Sequence, residues 1–306
     1  MIKNDTVTIW QLSLFELNRK MIVSGVLVKN NTVLTDLSSG SWNHISSIAR
    51  SYFVAPYANR EVIAISSAGE IKTTTNKNGA FFFEVDLPFS RDFSLTIEGN
   101  RELIVTAGSL DEFYNSTKTR LSVISDIDDT IMVSHTRQRL RSIFTTLLRP
   151  YQKRSAIQFT QKLFEDLKHE SPSHYYVSRS EVNLYPLISN FIRHNKLPKG
   201  PLFLTPLLSF RELLANDKDP DFKYRSIEWL IENSQDNEFI LVGDDSQHDI
   251  DIYTRIGRKF NSQIRSIYIR QTNSKINTEN TSRWKDLNES VPRAVYFKKN
   301  EIFNTL

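Results

Sequence analysis

The sequence predicts a three-layer α/β domain with a parallel sheet, preceded by a β-sandwich-like domain. Up to about residue 110, short β-branched segments alternate with turn signals, which is typical of a sandwich. Beyond residue 120, apolar strands alternate with segments of helical spacing, which is typical of βαβ units. The pattern loosens between residues 107 and 120. We therefore predict domains at 1–115 and 116–306.

Elements of the first domain follow from β propensity and turn chemistry. The turn cluster Asn76–Gly79 precedes a phenylalanine-rich segment, and Gly99 lies in a second turn. No catalytic constellation is visible in this half, which favours a structural or binding module. The predicted strands are residues 21–28, 61–65, 81–87, 93–97 and 103–105.

The second domain alternates strongly apolar strands with amphipathic helices. The polar stretch from Gln271 to Asn288 predicts a loop or a partly disordered segment, and residues 294–297 could add a last strand. Ligands of such sheets bind beyond the carboxyl ends of the strands. The predicted strands are 121–125, 174–177, 201–204, 238–243 and 265–270, and the predicted helices are 156–167, 184–191 and 224–231.

Composition excludes several classes of site. The chain has no cysteine, so disulfides, zinc–thiolate sites, iron–sulfur clusters and cysteine nucleophiles are excluded. The formal charge of +4 is too mild to indicate a nucleic-acid partner, and we expect none. No apolar run approaches the roughly 18 residues of a spanning helix, and no secretory signal is visible. We expect a cytoplasmic protein.

Acidic residues follow two of the predicted strands. Asp126 and Asp128 follow the strand at 121–125, while Asp244 and Asp249 follow the strand at 238–243. Clustered carboxylates repel one another unless a cation offsets them, and a site of oxygen ligands suits Mg²⁺. A helix–loop–helix calcium site is excluded, because Ile131 and Arg137 stand where that loop needs Gly and Glu.

With a metal present, these groups fit phosphoryl transfer. One carboxylate can attack phosphorus to form an aspartyl-phosphate, and a second, two residues on, can act as general acid and base. Ser178 follows another strand, and Lys223 opens the helix before the fourth strand. Both can stabilise the negative charge on the phosphoryl oxygens.

The motif order D-x-D-x-T, strand-end Ser, Lys and G-D-x-x-x-x-D resembles the haloacid dehalogenase superfamily. Within it, the segments VISDIDDTI, YYVSRSEVNLYPLI and ILVGDDSQHDIDIY resemble the catalytic domain of actin-patch-type phosphatidate phosphatases and, more distantly, the lipins. The resemblance spans about residues 121–270. It implies a haloacid-dehalogenase-like fold. It also implies an enzyme that converts phosphatidate to diacylglycerol and phosphate.

The resemblance also implies roles for seven residues. Asp126 is the nucleophile that attacks phosphorus, and Asp128 is the general acid and base that transfers the proton. Thr130 orients them, while Ser178 and Lys223 contact the phosphate. The implied metal ligands are Asp126, Asp128 through its backbone carbonyl, Asp244 and Asp249.

Several alternatives stay open at the level of sequence. Ser180 could replace Ser178, Lys218 could replace Lys223, and His248 could support the site or only form a turn. The chain reads S-R-S-E-V where the family usually reads S-N-S-P-W, which bears on lipid specificity. A phosphatase of a soluble phosphometabolite or phosphoprotein is one alternative function. A non-catalytic binding module is the other.

A basic segment follows the first acidic motif. No acidic residue occurs between Thr130 and Phe164, and arginines alternate there with apolar residues such as Phe144 and Leu147. Such a segment suits an anionic membrane surface, although a basic run can also be a solvated face. We therefore predict a phosphorylated lipid substrate and peripheral membrane contact through residues 137–154.

Overall fold

A computed structural model of the 306-residue chain describes thirteen stretches of it. The chain divides into two compact units. The first comprises residues 1–115, 180–190 and 204–218, and the second comprises 116–179, 191–203 and 219–306. The described residues are 7–29, 51–67, 69–86, 94–97, 103–105, 113–115, 119–132, 156–207, 219–234, 237–245, 248–272, 278–291 and 293–298.

The first unit contains two β-sheets. A five-stranded sheet has the order β5-β2-β1-β7, with β8 also pairing with β1, and a three-stranded sheet has the order β4-β3-β6. The strands are β1 Val7–Leu17, β2 Lys20–Lys29, β3 Glu61–Ser66, β4 Gly69–Thr74, β5 Ala80–Asp86, β6 Ser94–Ile97, β7 Leu103–Val105 and β8 Phe113–Asn115.

Apolar side chains from both sheets form one core, which confirms the predicted sandwich-like domain. Leu14, Val23 and Phe83 of the larger sheet belong to the same buried cluster as Val62 and Ile97 of the smaller sheet. Pairing is antiparallel except that β1 is parallel to β7 and β8. The sheet is therefore mixed rather than purely antiparallel, and β1, β4 and β8 had no predicted counterpart.

The α/β part is a six-stranded parallel sheet with helices, as predicted. Its strand order is β11-β10-β9-β12-β13-β14. The strands are β9 Leu121–Ser125, β10 Ser173–Glu181, β11 Leu202–Thr205, β12 Glu238–Asp244, β13 Ile264–Gln271 and β14 Ala294–Lys298. The helices are α1 Gln158–Asp166, α2 Tyr185–His194, α3 Phe222–Glu232, α4 Asp249–Lys259 and α5 Thr278–Ser290.

The two central strands explain where a site can form. Every residue of β9 is buried, and β12 is buried after its first residue, as expected for strands covered on both faces. Both strands run parallel, with Val242 paired to Ser125 near their ends. The residues that follow them therefore emerge together at the carboxyl edge of the sheet.

One sequence-based expectation was wrong. The polar tail predicted as a loop between Gln271 and Asn288 contains α5, which begins at Thr278. Its weak apolar pattern hid a helix that buries Leu287 and stacks Trp284 on Tyr296 of β14. The predicted membrane segment, residues 137–154, lies outside the described residues. Among the described helices, none has the length and apolarity needed to cross a bilayer.

Candidate active site

The candidate site lies at the carboxyl edge of the parallel sheet, where β9 and β12 end side by side. Asp126 directly follows β9, and its backbone N–H donates to the carbonyl of Val242 at 2.8 Å. Asp244 ends β12, and Asp249 begins α4. The three carboxylates are buried, and one oxygen of each lies within 4.8 Å of the others. The fold brings these three acidic residues together.

Lys223 inserts a cation between two of these carboxylates. It is the second residue of α3 and only 1% exposed. Its Nζ lies 2.9 Å from Asp126 Oδ1 and 2.5 Å from Asp249 Oδ1. The ring centroid of Tyr253 is 5.9 Å from the same Nζ. A lysine at the start of a helix opposes the helix dipole, so these carboxylates are what hold its charge inside the protein.

Burial and charge act in opposite directions on these groups. Burial lowers the pKa of Lys223, but the carboxylates of Asp126 and Asp249 outweigh it and raise that pKa above its ordinary value. Burial raises the pKa of Asp249 to about 6, with Lys223 opposing the shift and Asp126 adding to it. The carboxylates therefore carry more negative charge than Lys223 balances. A bound proton or a bound cation would reduce the remaining repulsion between them.

The donor set suits a divalent cation. With all groups ionised, the three carboxylates contribute −3 and Lys223 +1, which leaves −2 at a buried position. Carboxylate oxygens at this spacing are ligands for hard divalent ions. Asp126, Asp244 and Asp249 are the residues that could hold one.

Asp128, Thr130 and Ser178 form the second part of the site. The first two lie in a tight turn after Asp126, closed by backbone hydrogen bonds to the carbonyl of Ile127. Thr130 Oγ1 donates to Asp126 Oδ2 at 3.2 Å. Ser178 Oγ, on β10, donates to Asp128 Oδ2 at 3.4 Å. The Asp128 carboxylate therefore lies beside Ser178 and is not a member of the three-carboxylate group.

Gly243 allows the close approach of α4 to β12. A Cβ built at Gly243 would lie 2.5 Å from Asp249 Oδ2, and 2.7 Å and 2.9 Å from Cε2 and Oη of Tyr253. Tyr253 Oη donates to the carbonyl of Val242 at 3.0 Å, while Asp249 Oδ2 accepts the backbone N–H of Asp244 at 3.2 Å. The glycine at this position thus lets Asp249 reach the other two carboxylates, those of Asp126 and Asp244.

Several sequence alternatives can be compared with the structure. Lys223 is buried against carboxylates rather than solvated. His248 adopts a left-handed conformation (φ 64°) before α4, and its half-exposed ring contacts Asp251 at 3.4 Å. Lys218 lies outside the described residues.

Sequence reasoning missed two residues that contact this region, Tyr253 and Arg270. Tyr253 follows Asp249 by one helical turn, a spacing that could have indicated it. Arg270 is a charged residue near the end of an apolar strand, and it is buried beside Asp129. A charged residue at that position in an apolar strand could have indicated a contact with the acidic residues.

Comparison with known proteins agrees with this geometry. Residues 121–271 match the family model of the catalytic domain of phosphatidate phosphatase APP1. The match begins with β9 and ends with β13, so it contains the three carboxylates, Asp128, Ser178 and Lys223.

Two fungal proteins are similar in sequence. An uncharacterised protein of Schizosaccharomyces pombe is 26% identical over 228 residues, which cover 71% of this chain and 37% of that protein. Phosphatidate phosphatase APP1 of Saccharomyces cerevisiae is 29% identical over 153 residues, which cover 49% of this chain and 26% of that protein. The chain thus aligns with 37% and 26% of the length of these two relatives.

A similar solved structure is a haloacid dehalogenase family hydrolase from Deinococcus radiodurans, crystallised with bound phosphate and sodium. It is 10% identical, covers 57% of this chain and 90% of its own, and has a TM-score of 0.32. The resemblance rests on the family match and on the order of motifs along the parallel sheet. Residues 121–271 of this chain therefore resemble the catalytic domain of phosphatidate phosphatase APP1.

Proposed function

We propose that this protein is a Mg²⁺-dependent phosphatase that acts through an aspartyl-phosphate, with phosphatidate-type lipids as substrates and diacylglycerol and phosphate as products. The observation that carries the proposal is the buried group of Asp126, Asp244 and Asp249 with Lys223 between two of its members. The lipid substrate is inferred from the family match and from the name of the yeast relative.

Asp126 is the nucleophile of the first step. Its carboxylate attacks phosphorus, and the bond from phosphorus to the lipid oxygen breaks. Asp128 gives its proton to that leaving oxygen. In this mechanism Ser178 and Lys223 donate to the phosphoryl oxygens; their distances of 3.4 Å from Asp128 and 2.9 Å from Asp126 support these roles.

Asp128 acts as a base in the second step. It takes a proton from water, whose oxygen attacks the phosphorus of the aspartyl-phosphate, and the bond to Asp126 breaks to release phosphate. Thr130, which donates to Asp126 Oδ2, keeps the nucleophile oriented. A bound Mg²⁺ would offset the negative charge of the carboxylates and the phosphate. Asp126, Asp244 and Asp249 would hold it, together with the backbone carbonyl of Asp128.

Phosphate release from a defined set of substrates tests this proposal. We expect activity on phosphatidate vesicles that requires Mg²⁺ and is abolished by chelation. Asp126→Asn should lower turnover by at least ~10³-fold while leaving the fold intact, because an amide is a far poorer nucleophile. A matched control is Asp286→Asn, at an exposed acid outside the site.

Three outcomes would contradict parts of the proposal. Substantial turnover by Asp126→Asn would exclude the covalent mechanism. Activity confined to sugar phosphates or phosphopeptides would exclude the lipid substrate. Full activity after chelation would exclude the metal. The cytoplasmic location, the membrane contact through residues 137–154 and the absence of a nucleic-acid partner stay predictions.

A further inference from the structure

A buried arginine links the two acidic loops of the site. Arg270, the second-to-last residue of β13, is 5% exposed, and in the sheet register it lies beside Asp244. Its Nη1 donates to the backbone carbonyl of Asp129 and lies 3.6 Å from Asp129 Oδ1. Its own carbonyl accepts the backbone N–H of Asp245 at 3.1 Å. One residue therefore contacts the loop after β9 and the loop after β12.

The residue that Arg270 contacts is held in an uncommon backbone conformation. Asp129 has a φ of 56°, in the left-handed region that costs a non-glycine residue about 1 kcal/mol or more. It lies between Asp128 and Thr130, and its backbone N–H donates to the carbonyl of Met132 at 2.8 Å. The conformation of Asp129 therefore sets the direction in which the Asp128 side chain leaves the turn.

The other loop is held firmly, so it can serve as an anchor. Asp245 Oδ1 accepts the backbone N–H of Thr272 at 2.9 Å and its hydroxyl at 2.5 Å, while Oδ2 accepts the hydroxyl of Tyr296 at 2.5 Å. These bonds join the residues that directly follow β12 and β13 to the middle of β14. A guanidinium extending from this anchor can hold the Asp129 turn in place, and its buried charge is offset by the Asp129 carboxylate.

We propose that Arg270 is the positioning residue for the general acid and base: it holds the left-handed turn at Asp129 so that Asp128 points at the leaving oxygen. This inference rests on the proposed function of Asp128. Arg270 acts through Asp129 and does not itself contact the reacting atoms.

The test compares a substrate that needs protonation with one that does not. An alkyl phosphate such as glycerol phosphate has a poor leaving group that requires an acid, whereas p-nitrophenyl phosphate has a good one. Arg270→Lys, which retains the charge but loses the planar fork, should lower kcat/KM on the alkyl ester at least ~10-fold. On p-nitrophenyl phosphate the loss in kcat/KM should stay below about 3-fold. The comparison uses kcat/KM because that constant ends with departure of the leaving group, so the second step, in which Asp128 is the base for either substrate, does not enter it.

Two variants serve as controls. Arg265→Gln, on the same strand but in an exposed ion pair with Glu170, should leave both rates unchanged. In kcat/KM, Asp128→Asn should show the same dependence on the leaving group, only larger. Equal losses of kcat/KM by Arg270→Lys on both substrates, or a kcat/KM unchanged on both, would overturn the positioning role, since a merely structural defect lowers both values together.

A double substitution gives an independent decision. Glycine adopts a positive φ without strain, so Asp129→Gly removes the need for a restraint. In that background, the free-energy cost of Arg270→Lys, measured from kcat/KM on the alkyl ester, should be less than half of its cost in the wild-type chain. Fully additive costs would overturn the proposal. If Asp128→Asn lacks a leaving-group dependence, the acid role of Asp128 fails, and this double substitution still decides whether Arg270 acts through Asp129.

Discussion

At the scale of single residues, the most consequential side chain is Lys223. A buried ammonium is costly unless it is paired, and here it has two carboxylate partners at 2.9 Å and 2.5 Å. Removing one partner of such a pair leaves the charge of the other partner buried and uncompensated. The same carboxylates are the proposed metal ligands, so stability and metal binding depend on the same charges.

Replacing Lys223 should therefore make the protein more dependent on metal. We expect Lys223→Gln to lower the free energy of unfolding by about 3–5 kcal/mol without metal, because the carboxylates of Asp126 and Asp249 remain buried. Added Mg²⁺ should raise its melting temperature more than that of the wild type. Lys259→Gln, in an exposed ion pair with Glu228, is the control and should change little. Equal stability of Lys223→Gln and wild type without metal would contradict this account.

His174, outside the candidate site, makes the stability of the folded state sensitive to acid. Burial lowers the pKa of His174 to about 3, and its ring packs edge-on against Phe164 at 5.0 Å. In the unfolded chain His174 binds a proton below about pH 6.5, whereas in the folded chain it stays neutral down to about pH 3. The free energy of unfolding therefore falls as the pH drops from 6.5 toward 3.

The histidine variant isolates this effect. Between pH 7 and pH 5, wild-type protein should lose about 1–2 kcal/mol more unfolding free energy than His174→Gln does. Urea unfolding of both proteins at the two pH values measures the difference. Parallel losses would show that His174 is not held neutral in the folded protein.

At the scale of elements, the site depends on how closely α4 packs onto β12. Asp249 reaches the carboxylates of Asp126 and Asp244 because the helix begins directly beside Gly243, which has no side chain to separate them. The hydroxyl of Tyr253 donates to β12 one helical turn further on. Strand and helix therefore form one rigid support for Asp244 and Asp249.

A single methyl group should disturb that support. Gly243→Ala would place a Cβ 2.5 Å from Asp249 Oδ2, so the carboxylate or the helix must move. We expect a loss of about 1–3 kcal/mol in unfolding free energy and a weaker stabilisation by Mg²⁺. Thermal unfolding with and without Mg²⁺ measures both. A variant with wild-type response to the metal would show that Asp249 is not a ligand.

At the scale of the whole molecule, the first compact unit includes residues from the second half of the sequence. Trp10 is fully buried, and its Nε1 donates to the carbonyl of Val182 at 2.8 Å. Tyr185 Oη donates to the carbonyl of Leu12 at 3.1 Å, and both partners belong to the same unit. Residues 182–185 thus complete the surroundings of β1.

The predicted division at residues 115 and 116 can be tested through these bonds. A fragment of residues 1–115 lacks the partners of Trp10 and Leu12, so we expect it to unfold at lower urea concentration than the full chain. In the full chain, Tyr185→Phe should cost about 1 kcal/mol by losing one buried hydrogen bond. A fragment as stable as the corresponding unit of the full chain would establish 1–115 as an independent domain.

How much could be predicted differs between fold and site. Turn chemistry and β propensity predicted the strand at 81–87, and a continuous apolar run predicted the strand at 238–243, because both signals depend on neighbours along the chain. The tail helix α5 was missed because its stability comes from packing of Leu287 and Trp284 rather than from its own pattern. The first strand was missed for a related reason, since all of its residues are buried and a register shift between Ile9 and Gln11 interrupts the alternation of its apolar residues.

The sequence by itself determined the order of the strands between residues 121 and 270, the identity of the acidic motifs and the family that they resemble. Only the tertiary structure decided that Lys223 lies between Asp126 and Asp249, that the Asp128 carboxylate lies beside Ser178, and that Arg270 contacts the turn at Asp129. The reason is that motifs are local, whereas these contacts join residues 26 to 141 positions apart. Such contacts exist only once the parallel strands place their carboxyl ends side by side.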